Sequence, residues 1–300
     1  MSKPLKFLAF DTSTDRLSVA LTDGARVWQH SSPGGALAST QLIPAILALL
    51  AEAGLTLGEL DAIAFGRGPG SFTGLRTACA VAQGLAFGAN QGAGIAVLPV
   101  DTLMAVAEEA RFAQFGAAGD GAGAAAAAGA SAGADADADA GSNASADAGV
   151  SIPAQSPFTV TALLDARMDE MYVQRYAFSD GGWQPLGDCA LIRPENLLPN
   201  AADRLLAGNV FGVYAARLPA GVAAFACVEA LPTATAMLRL APALAAAGHC
   251  VEAALALPLY VRDKVALTTD ERTQVKADAA QAALLALAAA PIPSTPDQAG

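Results

Sequence analysis

The hydrophobic pattern alternates between two periods. Leu5 to Phe10 is a short apolar run suited to a buried strand, and residues 17–21 alternate as a half-buried strand does. Asp23-Gly24 predicts a hairpin turn into a third strand at 27–30. Behind Ser39-Thr40, the residues Leu42, Ile43, Ile46, Leu47 and Leu50 switch to helical spacing, with Gly54 as the stop. That places Pro44 in the first turn, the part of a helix that tolerates proline. Thr56 and Glu59 have capping-box spacing for one short turn.

The stretch that organises the chain follows at 61–88, DAIAFGRGPGSFTGLRTACAVAQGLAFG. A strand at 62–65 breaks at Gly66-Arg67-Gly68-Pro69-Gly70, and a helix capped by Ser71 or Thr73 runs to Gly88. Such a loop can leave backbone N–H groups free at a positive helix end, where a phosphate could sit. It can equally be no more than a sharp turn. It lacks the Lys-Ser/Thr of a P-loop, and GxGxG is not the dinucleotide fingerprint. The helix is unusually smooth: Gly74, Thr77, Ala78, Ala80, Ala82, Gly84, Ala86 and Gly88 are all small. Glycine is costly inside a helix, so Gly84 points to a packing reason, with a neighbour in this chain or in a partner.

A strand at 94–100 and a helix from Asp101 or Thr102 to 114 come next. Residues 116–149 are only Ala, Gly, Asp, Ser and Asn. With no large apolar side chain to bury, they predict a disordered insertion in a surface loop. Strands at 158–165 and 170–178 flank a turn at 166–169, and the chain turns again at 180–182. Then come a short element at 205–208, a helix near 209–217, a strand near 223–228, a helix at 233–247 and an extended segment at 258–262. A terminal helix at 274–290 and a loose Pro-rich end close the pattern.

Three hundred residues at 54% hydrophobic can bury a substantial core. No apolar run reads as long as a membrane span, and MSKPLKFLAFDTST lacks a signal-peptide core, which predicts a cytoplasmic chain. The net charge is −11, and −6 without the five acids of the insertion. An acidic chain is a poor non-specific binder of nucleic acid, because phosphate contacts need Lys and Arg. Cys79, Cys189, Cys227 and Cys250 form no CxxC pair and read as buried free thiols. His30 and His249 make no HxxxH or HExxH, so the sequence offers no metal cluster and no suggestive catalytic triad. The suggestive chemistry lies after the first strand. Asp11-Thr12-Ser13-Thr14 can hold a metal-bound phosphate or satisfy the turn's own backbone.

FLAFDTST at 7–14, TQLIP at 40–44, AFGRGPGSFTGLRTACAVAQGLAFG at 64–88, VDTLM at 100–104, DARMDEMY at 165–172 and PLYVRDKVA at 258–266 together resemble the TsaB family. These are non-catalytic subunits of the bacterial machinery that makes threonylcarbamoyladenosine in tRNA. The resemblance spans nearly the whole chain apart from the insertion and the extreme end. It implies an α/β fold of the actin-like, Hsp70-type ATPase (ribonuclease H-like) superfamily, with two related lobes at 1–115 and 150–300 around the disordered Ala/Gly/Asp-rich insertion at 116–149. It implies no catalytic residue and no metal. The partner it implies is TsaD, the paralogue that transfers the threonylcarbamoyl group to the adenosine next to the anticodon. TsaE joins the two, tRNA is met mainly through the complex, and a homodimer is the alternative when the chain is alone. Two departures stand out. Ser39 replaces the family's usual His, and Asp169 stands where the family often has Gly. TsaD carries two histidines on the first helix, and this chain has none there. The alternative is an active ATPase or transferase holding ATP or ADP on Asp11, Thr12, Ser13, Gly66, Gly68, Gly70 and Ser71. A metallopeptidase would need a histidine pair.

In the family the first two long helices form the pairing surface. Here that implies an interface of Leu42 and Ile46 with Leu75, Ala78, Val81, Ala82, Leu85 and Ala86, whose small residues suit close helix packing. Replacing 116–149 with a short Gly/Ser linker is expected to leave the melting temperature and partner pairing unchanged, because no side chain there offsets the entropy of ordering it. Loss of either in thermal melting or size-exclusion chromatography would show that the segment folds or binds.

Overall fold

Two sheets repeat one topology. In the first, β1 (Phe7–Asp11) is the fully buried centre, antiparallel to β2 (Arg16–Thr22) and parallel to β4 (Ala62–Gly68). β3 (Val27–Pro33) and β5 (Ala96–Asp101) are the edges, giving the order β3-β2-β1-β4-β5. In the second, β6 (Phe158–Arg167) is antiparallel to β7 (Glu170–Ser179) and parallel to β10 (Asp203–Gly208). β8 (Gly182–Pro185) and β11 (Ala226–Glu229) close the order β11-β10-β6-β7-β8, with the short β9 (Ala190–Ile192) added on β7. The repeat is the pair of related lobes expected of an actin-like fold. The computed structural model describes residues 4–116 and 157–262, apart from the Gln91 side chain, and every element named here lies in one unit, Met1–Val261.

The period-2 alternation of the strands decides the layers. Leu8, Phe10, Ile63 and Phe65 point to one face, where α1 (Ala38–Ala53) and α2 (Phe72–Gly88) cover them. Phe7, Ala9, Ala62 and Ala64 point to the other, against α3 (Thr102–Phe115) and α4 (Ala234–Ala246). The same two helices cover the inner face of the second sheet through Val160, Ala162, Leu205 and Ala207. Leu163, Met171 and Leu206 on its outer face meet Val210, Tyr214 and Val222 from irregular chain. The central strands are buried on both faces, so they read as unbroken apolar runs, while the edge strand β3 is largely exposed.

Several elements differ from their sequence expectation. α1 starts at Ala38, which makes Pro44 an interior residue. Pro44 is exposed, so water can serve the carbonyl left without a donor. The helical stretch Gly35–Ala53, 19 residues, is long and apolar enough by length and composition to cross a membrane, contrary to the sequence reading. Its Leu42, Ile46, Leu49 and Leu50 are buried against the first sheet, as in the core helix of a globular domain. No helix forms at 209–217. Separate turns stand there instead, with Tyr214 N–H donating to the Val210 carbonyl and Leu218 N–H to that of Tyr214. The Asn209 side chain is meanwhile committed to the Asp165 N–H at 2.9 Å. Ser71 caps α2 without a side-chain bond. Of the four free cysteines only Cys79 is buried, and Cys227 is exposed. The expected terminal helix and tail, and the insertion beyond Gly116, lie outside the described residues.

Asp169 has a visible reason. Arg167, Met168 and Asp169 all hold positive φ at the β6–β7 turn, the backbone region that favours glycine and tolerates Asp. The carboxylate also pairs with Arg217 at 2.7 Å.

A buried charge cluster ties the two sheets together through the α3/α4 layer. The Glu108 carboxylate accepts from Arg111 Nε (2.8 Å) and Nη2 (2.9 Å), Arg239 Nε (2.8 Å) and Trp183 Nε1 (3.0 Å). Arg111 lies over the Phe178 ring and Arg239 over that of Phe112. Glu108→Ala is expected to destabilise the protein by about 3–5 kcal/mol, since it strands a buried guanidinium. Urea unfolding measures this, and a loss below about 1 kcal/mol, the scale of a surface pair, would contradict it.

Candidate functional site

The start of α2 is docked on the end of β1. Asp11, Thr12 and Ser13 are all buried. Asp11 Oδ1 accepts from Ser13 N–H (2.9 Å) and Oγ–H (2.7 Å). Thr12 Oγ1 donates to the Gly74 carbonyl (2.7 Å), and Ser71 N–H donates to the Ser13 carbonyl (2.7 Å). The glycines permit this approach. A Cβ on Gly66 would overlap Asp11 Oδ2, one on Gly70 would press into Ser13, and one on Gly74 would run into the Thr12 carbonyl. Gly68 N–H donates to Thr102 Oγ1 (3.1 Å). The sequence left a phosphate cradle and a backbone-satisfying turn both open. In the structure, Asp11, Thr12, Ser13, Gly66, Gly68, Gly70 and Ser71 come together, with the Thr12 and Ser13 hydroxyls and the Gly68 and Ser71 N–H groups engaged within the chain.

Asp11 Oδ2 is buried with no partner. Burial pushes the Asp11 carboxyl up to about 6, against the two Ser13 hydrogen bonds that pull it down. Oδ2 occupies the place where a Gly66 side chain would begin, with the Met237 methyl group close by. In the second lobe Asp165, on the matching central strand, is likewise held by its own chain. It accepts from Tyr214 Oη (2.7 Å) and Arg167 N–H (2.8 Å). Among the described residues no group of three His, Cys, Asp or Glu side chains is placed to hold a metal.

A strap after α4 finishes the surround of α2, and the sequence reading caught only its last residues. Val251 pairs with Val97 beside β5. The Ala256 carbonyl accepts from Gln83 Nε2 (2.9 Å) and Cys79 Sγ (3.1 Å). Leu259 N–H donates to the Arg67 carbonyl (2.6 Å), and Tyr260 stacks on Phe72, ring centroids 4.9 Å apart, under Arg76. The apolar PLY of 258–260 is the only local signal for this contact.

The expected interface residues face the other way. Leu42, Ile46, Leu75, Ala78, Ala82 and Ala86 are all buried, and Val81 and Leu85 are half-buried at the rim of the same core. The small residues of α2 bring the helix close to β1 and β4 of its own sheet. The outward face carries Ile43 (42% exposed), Leu47 (52%) and Phe87 (73%), with Ala80 and Gly84 between turns of α2. Helical spacing grouped these residues correctly but could not say which group meets the sheet.

A family model described as TsaD, tRNA N6-adenosine threonylcarbamoyltransferase, matches residues 34–131. The tRNA threonylcarbamoyladenosine biosynthesis protein TsaB of Haemophilus influenzae is 30% identical over 278 residues, covering 87% of this chain and 95% of that protein. The Escherichia coli protein of the same name is 38% identical over 106 residues, 35% of this chain and 44% of its own length. Among solved structures, YeaZ from Pseudomonas aeruginosa superposes with a TM-score of 0.64 at 34% identity, covering 86% of this chain and all of that one. A second chain with the same scores is described as an uncharacterized protein with similarity to peptidase YEAZ.

The Asp11 pocket makes a pH-dependent contribution to stability. Its folded value, near 6, lies above the ordinary 3.8, so folding favours the neutral acid. The contribution is complete below about pH 4 and is lost as the pH rises through 6. Between pH 4 and 7.5, the stability of Asp11→Asn relative to wild type is expected to rise by about 3 kcal/mol at most. Chemical denaturation at several pH values measures it, and a pH-independent difference between the two proteins would contradict it.

Proposed function

The chain belongs to the TsaB family, and from that premise we propose that it is the non-catalytic subunit of the complex that makes threonylcarbamoyladenosine in tRNA, pairing with a TsaD subunit. The observation that carries this reading is the exposed apolar face of α1, which Ala80, Gly84 and Phe87 extend on α2 beyond the exposed Arg76. From Thr40 to Ala51 the exposed side of α1 has no charged residue, an unusual surface for a chain of net charge −11. The TsaD match at 34–131 includes both helices, so a partner of that family brings a helix pair of the same kind. The Gly68 and Ser71 N–H groups and the Thr12 hydroxyl are engaged within the chain, which favours the structural over the nucleotide-holding reading of this loop. TsaE joins the pair, the isolated chain uses the same helix face to form a homodimer, and tRNA is contacted mainly through the other subunits. The setting is the cytoplasm.

Reconstitution from purified subunits tests the role. The chain alone is expected to modify no tRNA, and leaving it out of the mixture to abolish modification; activity of the chain by itself would overturn the proposal. The surface has its own test. Ile43→Glu with Leu47→Glu is expected to prevent pairing with TsaD in size-exclusion chromatography while the melting temperature holds. Ala82→Arg is expected to melt far below wild type, because it buries an unpaired charge in the core. A double variant that still pairs would sink the assignment of this face.

A further inference from the structure

A cavity of about 390 Å³ opens where the edge of the first sheet meets the α3/α4 layer. Ser18, Gln29, His30 and Ser31 of β2 and β3 form one wall, and Glu109, Thr233 and Thr235 form the other. All seven side chains are polar, whereas the same sheet face is apolar further in, at Phe7, Ala9, Ala62 and Ala64. The start of α4 does not make this an anion site. Ala234 N–H donates to Ser18 Oγ (2.9 Å) and Ala236 N–H to Thr233 Oγ1 (3.1 Å), with the Glu109 carboxylate beside them. Glu109 Oε2 accepts from Thr233 Oγ1 (2.6 Å) and Arg239 Nη2 (2.7 Å). Thr233 has one hydroxyl proton, so across the 3.0 Å contact with Thr235 it is Thr235 that donates, and the Thr235 oxygen is left as an acceptor. Glu109 Oε1 accepts no hydrogen bond among the described residues, although the side chain is only 27% exposed. Arg16 Nη2 donates to Ser31 Oγ (2.8 Å) and makes no ion pair with Glu109.

We propose that this cavity binds the primary ammonium group of a small molecule, with Glu109 Oε1 facing the charge and Thr235 Oγ1 and the Gln29 carbonyl taking its other protons. The groups left over decide the sign of the ligand. The one ionised atom without a partner in the cavity is a carboxylate oxygen, and a hydrogen bond to it from a charged donor is about twice as strong as one between neutral groups. The net charge of −11 also raises the concentration of cations near the surface. The volume is at the lower end of the roughly 300–1,000 Å³ of small-molecule sites, which suits a short amine. A polyamine and an α-amino acid both carry this group. The cavity lies on the opposite face of the sheet from α1 and α2, so the inference stands apart from the pairing reading.

Nuclear magnetic resonance titration of the isotope-labelled full chain with ethanolamine, at physiological salt, tests this. Saturable amide shifts are expected at Glu109, Thr233 and Thr235. Ethylene glycol, which has a hydroxyl in place of the ammonium, is expected to give none. Glu109→Gln keeps an oxygen for Thr233 and Arg239, so it is expected to melt near the wild-type temperature and to bind ethanolamine about tenfold more weakly. Thr235→Val leaves both Glu109 bonds in place and is expected to weaken binding too, which gives a second reading should Glu109→Gln lower the melting temperature. Putrescine and glycine carry the same group, and whichever binds more tightly tells a polyamine site from an amino-acid site. No saturable shift with any of the three amines, equal shifts with ethylene glycol, or unchanged affinity in both variants would overturn the proposal and leave a notch that holds water alone.

Discussion

The contact between the Gly-rich loop and the end of β1 is the constraint on which the rest depends. The Thr12 hydroxyl donates to the Gly74 carbonyl, Gly74 has no Cβ to push the Thr12 carbonyl away, and Ser71 N–H is tied to the Ser13 carbonyl. That contact sets the height of α2 above the sheet. At this height small side chains fill the line facing the sheet, where Ala78, Ala82 and Ala86 are buried. Larger groups on that line would lift α2, break the Thr12 bond and expose Leu8, Phe10, Ile63 and Phe65.

The same contact accounts for the chemistry of the site. A phosphate-binding loop needs amides that point into open space. Here Ser71 and Gly68 donate inward, and Asp11 Oδ2 takes the place a Gly66 side chain would need. Asp11 is left with one oxygen well bonded and one unpaired, and burial raises its carboxyl to about 6 against the pull of the Ser13 bonds.

Stiffness on the opposite side comes from the shared α3/α4 layer. Glu108 gathers donors from α3, α4 and Trp183 on β8, so the two repeated sheets are cross-linked by charge-assisted bonds as well as by apolar packing. The strap does a similar job beside α2, running from Val97 to Phe72 and bracing the helix along its length.

Most of the strands, the strand–loop–helix unit at 61–88, the Gly54 stop and the Thr56–Glu59 capping box were determined by the sequence alone, because each depends on side-chain period or on interactions a few residues apart. The motif series pointed to the family by the same local chemistry. Which face of α2 is inward was decided only by the tertiary structure. Ala78 and Ala82 are small enough for either side, and the choice rests on how close Thr12, some sixty residues away in sequence, comes to Gly74. The turns at 211–217 in place of a helix also escaped the local pattern, and there Asn209 accepts from the Asp165 N–H of another strand. The Glu108 cluster joins residues up to 131 positions apart, and no local pattern announces it. Period and capping are properties of neighbours along the chain, whereas orientation and cavity filling are settled between elements that meet only when the chain is folded.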